Sequence, residues 1–193
     1  MPFSAVRTFS DPDEFSASVR GGTLESTITE RGNFNAKQVR IDLHRLWMQR
    51  LSNDLRRIYH VDGWGGRAVI TFHTQTGPSV LHSGVELRAN AIARLSMGQS
   101  YYNRSAGPTS LGSVSLPVAD MVSIGAVMAG TDLAPPRDTL IFTPPPGGVA
   151  RLQRLHAAAA HLAEAAPEII ANPDAAYGLE QALIEAMVGL PWQ

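Results

Sequence analysis

The strongest constraint on the fold is a change in hydrophobic spacing at Pro117. Before it, short runs alternate between apolar and polar residues, and turn residues separate the runs, which is typical of antiparallel strands. After it, apolar residues recur mostly at helical spacing. Because closing an antiparallel sheet removes its exposed edges, the sequence predicts an α+β fold. We expect an antiparallel β-barrel of jelly-roll type followed by C-terminal α-helices.

The region before Pro117 predicts one short helix and a series of strands. Asp11 and Pro12 are typical of a helix start, and Gly21 is typical of a helix end. The predicted strands are 23–30, 36–49, 54–62, 67–74, 84–87, 91–95, 100–104 and 109–116. In the strand that begins at Arg67, alternate residues would face opposite sides of the sheet.

The region after Pro117 predicts helices at 117–130, 149–165 and 173–190, with a proline–glycine joint at 144–148. We therefore expect a barrel domain at 1–143, which includes the helix at 117–130, and a second part at 144–193 with the joint and the last helices. The apolar stripes of those helices are wide enough for a partner as well as the barrel, so we expect a homodimer. The alternative is that the helices pack on each other and on the barrel. The predicted dimer residues are Leu155, Leu162, Leu179, Leu183 and Met187.

Composition excludes several classes of function. The formal net charge is −1, from 16 basic and 17 acidic residues, so the chain lacks the excess of positive charge with which a domain grips nucleic acid. The absence of cysteine excludes disulfides, thiolate metal sites and cysteine nucleophiles. No signal peptide is apparent, and no apolar run reaches the ~18 residues of a membrane span. We therefore expect a cytoplasmic protein without a membrane partner.

No catalytic or metal-binding motif is apparent. Metal-binding barrels of the cupin type use a His-x-His pair, and none of the six histidines forms one. Convergence of His44, His60 and His73 inside the barrel is the one arrangement that would hold a metal. The chain also lacks a Gly-x-Ser-x-Gly motif and a phosphate-binding glycine loop. We expect no cofactor, no metal and no enzymatic activity, and a metal-dependent cupin enzyme, an isomerase or dioxygenase, is the alternative.

Aromatic residues in the predicted strands indicate a pocket for a small molecule. Pockets in barrels are lined by apolar and aromatic groups with a few polar ones. Trp64, beside three glycines, is instead expected in a lid or on the surface. The alternative is that the strand aromatics fill an ordinary core. The predicted ligand-binding residues are Trp47, Tyr59, Phe72, His73 and Tyr101.

Four strings carry a resemblance to a known family. They are FSDPDEF at 9–15, IDLHRLWMQR at 41–50, GQSY at 98–101 and LEQALIEA at 179–186. With the order of elements, they resemble the N-terminal sensor domain of AraC-type bacterial transcriptional regulators. The resemblance implies a cupin-like barrel that binds a small-molecule effector, helices that dimerise, and a separate domain that binds DNA. The sequence stops at Gln193, where that domain would begin, so we expect a fragment of a regulator or a stand-alone sensor domain.

Overall fold

The protein is an antiparallel jelly roll with helices packed on one side, as described by a computed structural model for residues 1–63, 65–190 and 192. The strands are β1 Phe3–Phe9, β2 Gly22–Ile28, β3 Ala36–Asp42, β4 Trp47–Asn53, β5 Arg57–Gly63, β6 Arg67–His73, β7 Val80–His82, β8 Val85–Leu87, β9 Ile92–Arg94, β10 Ser100–Ser105, β11 Thr109–Pro117 and β12 Leu140–Phe142. The helices are α1 Pro12–Ser18, α2 Val118–Ile124, α3 Ala150–Ala165, α4 Pro167–Ala171 and α5 Pro173–Val188. The predicted fold class is confirmed.

Two antiparallel sheets form the jelly roll. The larger has the order β1-β3-β4-β11-β6-β9-β12, and the smaller has the order β2-β5-β10-β7-β8. Side chains from the inner faces of both sheets line one cavity. The outer face of the larger sheet packs against the C-terminal helices.

The main hydrophobic core lies outside the barrel, between the larger sheet and the helices. Four side chains of this core have no exposed surface: Phe72 of β6, Leu152 of α3, and Leu183 and Met187 of α5. Leu183 and Met187 were expected at a dimer interface, but both are fully buried in the core of a single chain and leave no surface for a partner. Three other predicted interface residues are partly buried and pack against the same core: Leu155, Leu162 and Leu179.

The helix ends follow the capping signals in the sequence. The Asp11 carboxylate accepts hydrogen bonds from the backbone N–H groups of Asp13 and Glu14, at 2.7 and 3.0 Å. Asn172 caps α5 in the same way. The helix predicted at 117–130 consists of α2 and a π-helical turn, Gly125–Ala129, which ends at Gly130 with a positive φ of 61°.

The predicted strand at 36–49 is instead a hairpin, β3 and β4, with a turn at 43–46. No Gly, Pro, Asn or Asp marks this turn, so its local sequence does not predict it. A distant residue stabilises it. The buried Glu180 carboxylate of α5 accepts hydrogen bonds from the backbone N–H groups of Arg45 and Leu46, at 2.7 and 3.1 Å. The sequence analysis also did not predict strands β1 and β7.

His156 joins α3 to the wall of the barrel. His156 is fully buried, whereas His161 of the same helix is exposed. The His156 Nε2–H donates to the carbonyl oxygen of Gln49 at 3.0 Å. A Cβ atom at Gly112 would lie 2.8 Å from that Nε2, so the close approach of α3 to β11 requires glycine there. Helix and sheet are therefore in direct contact at this point.

Among the residues that the structure describes, no helix has both the length and the apolar character needed to cross a bilayer.

The Glu180 contact gives a prediction for stability. Glu180→Ala leaves two N–H groups without their acceptor, and each such loss costs about 1–3 kcal/mol, so the free energy of unfolding should fall by about 2–6 kcal/mol. Glu180→Gln keeps one acceptor oxygen and should cost less. Glu185→Ala, which removes an exposed ion pair with Arg151, is the control and should change stability by less than about 1 kcal/mol. Urea unfolding measures all three, and equal losses for Glu180→Ala and Glu185→Ala would contradict the assignment.

His156 gives a prediction for acid stability. Burial, as the largest cause, lowers the pKa of His156 to about 4. The unfolded chain binds this proton near pH ~6.5, so between about pH 6.5 and 4 it carries more protons than the folded chain. The histidine's stabilising contribution is therefore complete above this window and declines as the pH falls through it, by up to ~3 kcal/mol.

The His156→Gln variant isolates this effect. Urea unfolding at several pH values should show a flatter acid profile for the variant than for the wild-type protein. Parallel profiles would show that His156 does not cause the acid sensitivity.

Candidate functional site

A cavity of about 330 Å³ lies between the inner faces of the two sheets. Most wall residues from β4, β6 and β11 are partly accessible, although Gln49 and Ser115 are buried. The alternate apolar residues on the outer face, such as Met48, Ile70 and Val114, are buried in the core shared with the helices. The described lining contains three arginines and no Asp or Glu. Its principal wall residues are Leu24, Trp47, Gln49, Leu51, Arg57, Tyr59, Val61, Arg67, Val69, Thr71, His82, Leu87, Tyr101, Asn103, Leu111, Ser113 and Ser115.

One end of the cavity has a stack of three side chains at its rim. The guanidinium carbons of Arg20 and Arg67 lie 3.4 and 3.7 Å from the centre of the Trp47 ring. Two guanidinium groups this close cannot share one face of the ring, so the indole lies between them. Arg20 pairs with Asp42 at 2.5 Å, and Arg67 donates to the Arg45 and Ser115 carbonyl oxygens and to the Ser115 hydroxyl.

The Arg67 guanidinium is also electrostatically perturbed. Burial and, next, the positive charge of Arg20 lower the pKa of Arg67 to about 10. The group remains charged at neutral pH. Both arginines at the rim are therefore charged and bonded to groups of the protein.

Arg57, on β5, differs from both arginines of the rim. It is only 3% exposed, and its guanidinium carbon lies 4.3 Å from the Tyr59 ring centre and 5.1 Å from that of Phe15. Nε and Nη1 have no hydrogen-bond partner among the described residues, and no carboxylate of those residues pairs with the group. Burial lowers the pKa of Arg57, but a guanidinium stays protonated at neutral pH.

His82 and Asn103 form a second polar group on the same inner wall. They lie opposite each other on β7 and β10, and Asn103 also lies opposite Tyr59 of β5. Nε2 of His82 and Oδ1 of Asn103 are buried, and the two side chains lie close together without a hydrogen bond of good geometry. Burial lowers the pKa of His82, which favours the neutral ring. Hydrogen-bonding capacity that the described side chains do not use is thus concentrated at the cavity.

Three of the five predicted ligand-binding residues line this cavity. Trp47 lies at the rim, and Tyr59 and Tyr101 lie on the inner face of the smaller sheet. Burial raises the pKa of both tyrosines, so their hydroxyl groups remain protonated. Gln49 also lines the cavity, but its amide is bonded to the backbone of Arg20. The prediction for Trp64 lies outside the described residues.

Phe72 and His73 do not line the cavity. Phe72 lies on the outer face of β6 and contacts the His156 ring edge-on, with 5.2 Å between ring centres. His73 lies on the inner side at the end of β6, and its Nε2–H donates to the Leu87 carbonyl oxygen at 3.0 Å. Strand alternation alone places these neighbours on opposite faces, so they could not both have faced one pocket.

The most distinctive polar residue of the cavity, Arg57, was missed. In the strand that contains it, Arg57, Tyr59 and Val61 occupy alternate positions and therefore share one face. An arginine on an otherwise apolar strand face was the available signal. His82 gave no comparable signal, because it ends a three-residue strand just before a turn. Asn103 lies within a predicted strand, but the polar residues on either side of it hide any contrast.

The three histidines considered for a metal site do not converge. His44 lies in the β3–β4 turn near the Pro173 carbonyl oxygen, His60 packs on Tyr102, which is exposed, and His73 is bonded to Leu87. Within residues 1–63, 65–190 and 192, no three His, Cys, Asp or Glu residues are grouped closely enough to hold a metal ion.

Comparisons with known proteins are informative about architecture only. No family profile matches the sequence, and no curated protein is significantly similar to it. Among solved structures, ToxT from Vibrio cholerae, determined with a bound unsaturated fatty acid, is 12% identical with a TM-score of 0.48. The alignment covers 76% of this chain and 53% of the ToxT chain, so this chain spans about half of that protein.

Two smaller proteins are also similar in part. A predicted oxalate decarboxylase from Thermotoga maritima is 13% identical with a TM-score of 0.35, over 53% of this chain and 96% of the other. An RmlC-like cupin from Shewanella frigidimarina is 12% identical with a TM-score of 0.27, over 48% and 85% of the two chains. Similarities at this level carry no argument about what the present cavity binds.

Proposed function

We propose that this chain is the effector-binding domain of an AraC-type transcriptional regulator and acts by binding rather than by catalysis. The observation that carries the proposal is a hollow barrel lined by buried polar side chains, among which Nε and Nη1 of Arg57 have no hydrogen-bond partner in the described residues. A small molecule with polar and apolar parts would satisfy those groups and fill the space between the sheets. The sequence resemblance supports the class of regulator, in which a separate domain would contact DNA.

The position of the cavity supports coupling to the helices. Gln49 lines the cavity, and its carbonyl oxygen accepts the hydrogen bond from His156 of α3. Gly112, also at the cavity, touches the same histidine ring. One layer of strand therefore separates an effector from the helices. An effector that prefers one arrangement of this wall would shift the helix positions by population shift.

Dimerisation through the C-terminal helices belongs to the same proposal, with a smaller set of residues. Leu155, Leu162 and Leu179 retain some accessible surface, and Tyr177 of α5 is 59% exposed. A partner would use this accessible side of α3 and α5. The alternative of a metal-dependent cupin enzyme has no observation on the described residues in its favour.

Binding to the cavity is tested with N-phenyl-1-naphthylamine, a neutral dye that fluoresces in apolar surroundings. We expect saturable binding of one dye molecule per chain. Ser113→Phe places a phenyl ring in the cavity and should weaken binding at least about tenfold, because the ring and the dye compete for one volume. Thr27→Phe, on the solvent face of β2, is the control and should bind like the wild-type protein.

Two outcomes of this titration would refute the proposed cavity function. One is the absence of saturable dye binding to the wild-type protein. The other is equal affinity in Ser113→Phe and the wild-type protein, since the dye would then bind elsewhere.

The dimer is tested by multi-angle light scattering at micromolar concentration. The wild-type protein should have twice the mass of one chain, and Leu179→Glu should reduce this to one mass while the circular dichroism spectrum stays unchanged. Leu183→Glu is unsuitable because it places a charge in the core and should unfold the chain. A wild-type protein with the mass of one chain would refute dimerisation.

A further inference from the structure

Of the three arginines at the cavity, Arg57 has no paired carboxylate among the described residues. Arg20 pairs with the Asp42 carboxylate, and Arg67 donates to three acceptor atoms. Nε and Nη1 of Arg57 also have no hydrogen-bond acceptor among the described residues. Burial without a hydrogen-bonded counter-charge is unfavourable for a guanidinium. The rings of Tyr59 and Phe15 compensate in part through cation–π contacts. These ring contacts do not provide hydrogen-bond acceptors for the Nε and Nη1 groups of Arg57.

No residue of the described lining is acidic, and its three arginines are Arg20, Arg57 and Arg67. At the rim, Asp42 balances the charge of Arg20, and Asp42, Asp120 and Glu180 act on Arg67. Among the described lining residues, Arg57 is therefore the charged group without a nearby carboxylate, and burial favours the neutral form of His82.

We infer that the effector is a carboxylate with an apolar body, and that its carboxylate pairs with Arg57. This inference rests on the proposed binding function of the cavity and specifies its ligand class. Arginine and carboxylate form charge-assisted hydrogen bonds, which are the strongest available to such a pair.

A single negative charge fits this site better than a phosphate. A phosphate group carries between one and two negative charges at neutral pH, of which Arg57 would neutralise one. The remaining charge would face His82, Asn103 and the tyrosines, which are neutral, and would be desolvated without a counter-charge.

The rest of the cavity suits an apolar body. Arg57 and Val61 lie four positions apart on β5, which corresponds to about 13 Å of extended strand. Leucine side chains and the rings of Tyr59 and Tyr101 line this interval. His82 and Asn103 can hydrogen-bond one further polar atom of the ligand. Because both side chains are neutral, they do not favour a charged atom over an uncharged one.

Competition against the bound dye tests this inference. The competitors are 3-phenylpropionate and its neutral amide, 3-phenylpropanamide, which have nearly the same shape. With the wild-type protein at pH 7, the carboxylate should displace the dye about tenfold to a hundredfold more effectively than the amide, as expected for a hydrogen-bonded ion pair. In Arg57→Gln the two competitors should become equal within about twofold, while the neutral dye still binds.

Two further variants locate the source of the preference. Arg57→Lys keeps the charge and should retain part of the preference for the carboxylate, whereas Arg67→Gln, at the rim, should retain most of it. Loss of the preference in Arg67→Gln but not in Arg57→Gln would place anion recognition at the rim and overturn the inference.

The stability of the unliganded variant separates a ligand-binding arginine from a structural one. If Arg57 serves the ligand, Arg57→Gln should unfold at the same urea concentration as the wild-type protein or at a higher one. A marked fall in that concentration would indicate a structural role and overturn the inference.

The two proposals can fail separately. If the dye binds inside the barrel but the wild-type protein does not distinguish carboxylate from amide, the ligand class is wrong and the binding function stands. If the dye does not bind, the binding function itself is wrong.

Discussion

The packing of α3 and α5 on the outer face of the larger sheet is the constraint on which the rest of the structure depends. Residues on this face, such as Ile70 and Phe72, are buried in a continuous apolar layer with the helices. Burial of apolar surface is the main source of folding free energy, and here most of it lies outside the barrel. The inner faces of the sheets therefore need not pack against each other across their whole area. A barrel stabilised from outside can remain hollow.

The same helices also determine the geometry of the cavity wall. Glu180 of α5 holds the turn between β3 and β4, and Trp47 at the start of β4 forms the rim. His156 of α3 is bonded to Gln49 two residues further along the same strand. Strand β4 is thus held at two points by helices and faces the cavity with its alternate side chains. The C-terminal helices therefore contact the cavity wall directly through this strand.

Local patterns predicted most of the architecture, and non-local contacts explain what they missed. Strand alternation from Arg67 to His73 and the cap at Asp11 depend on neighbouring residues and could be read directly. The turn at 43–46 depends on Glu180, which is more than 130 residues away, so nothing near the turn indicates it. Aromatic residues drew attention to the cavity, but an aromatic residue is equally suited to a core. Arg57 was the more specific signal, because a charge on an apolar strand face requires a reason.

The separation of core from cavity bears on how the specificity of such a domain can diverge. Val69, Thr71 and Ser113 line the cavity without belonging to the main apolar core. Exchanges at such positions alter the shape and polarity of the binding space while the layer that stabilises the fold stays intact. Most mutations destabilise, and selection removes those that bring stability below the level that function needs. This arrangement spares the ligand-facing residues from much of that selection. One scaffold can therefore acquire new ligands over evolutionary time while its sequence drifts far from that of its relatives.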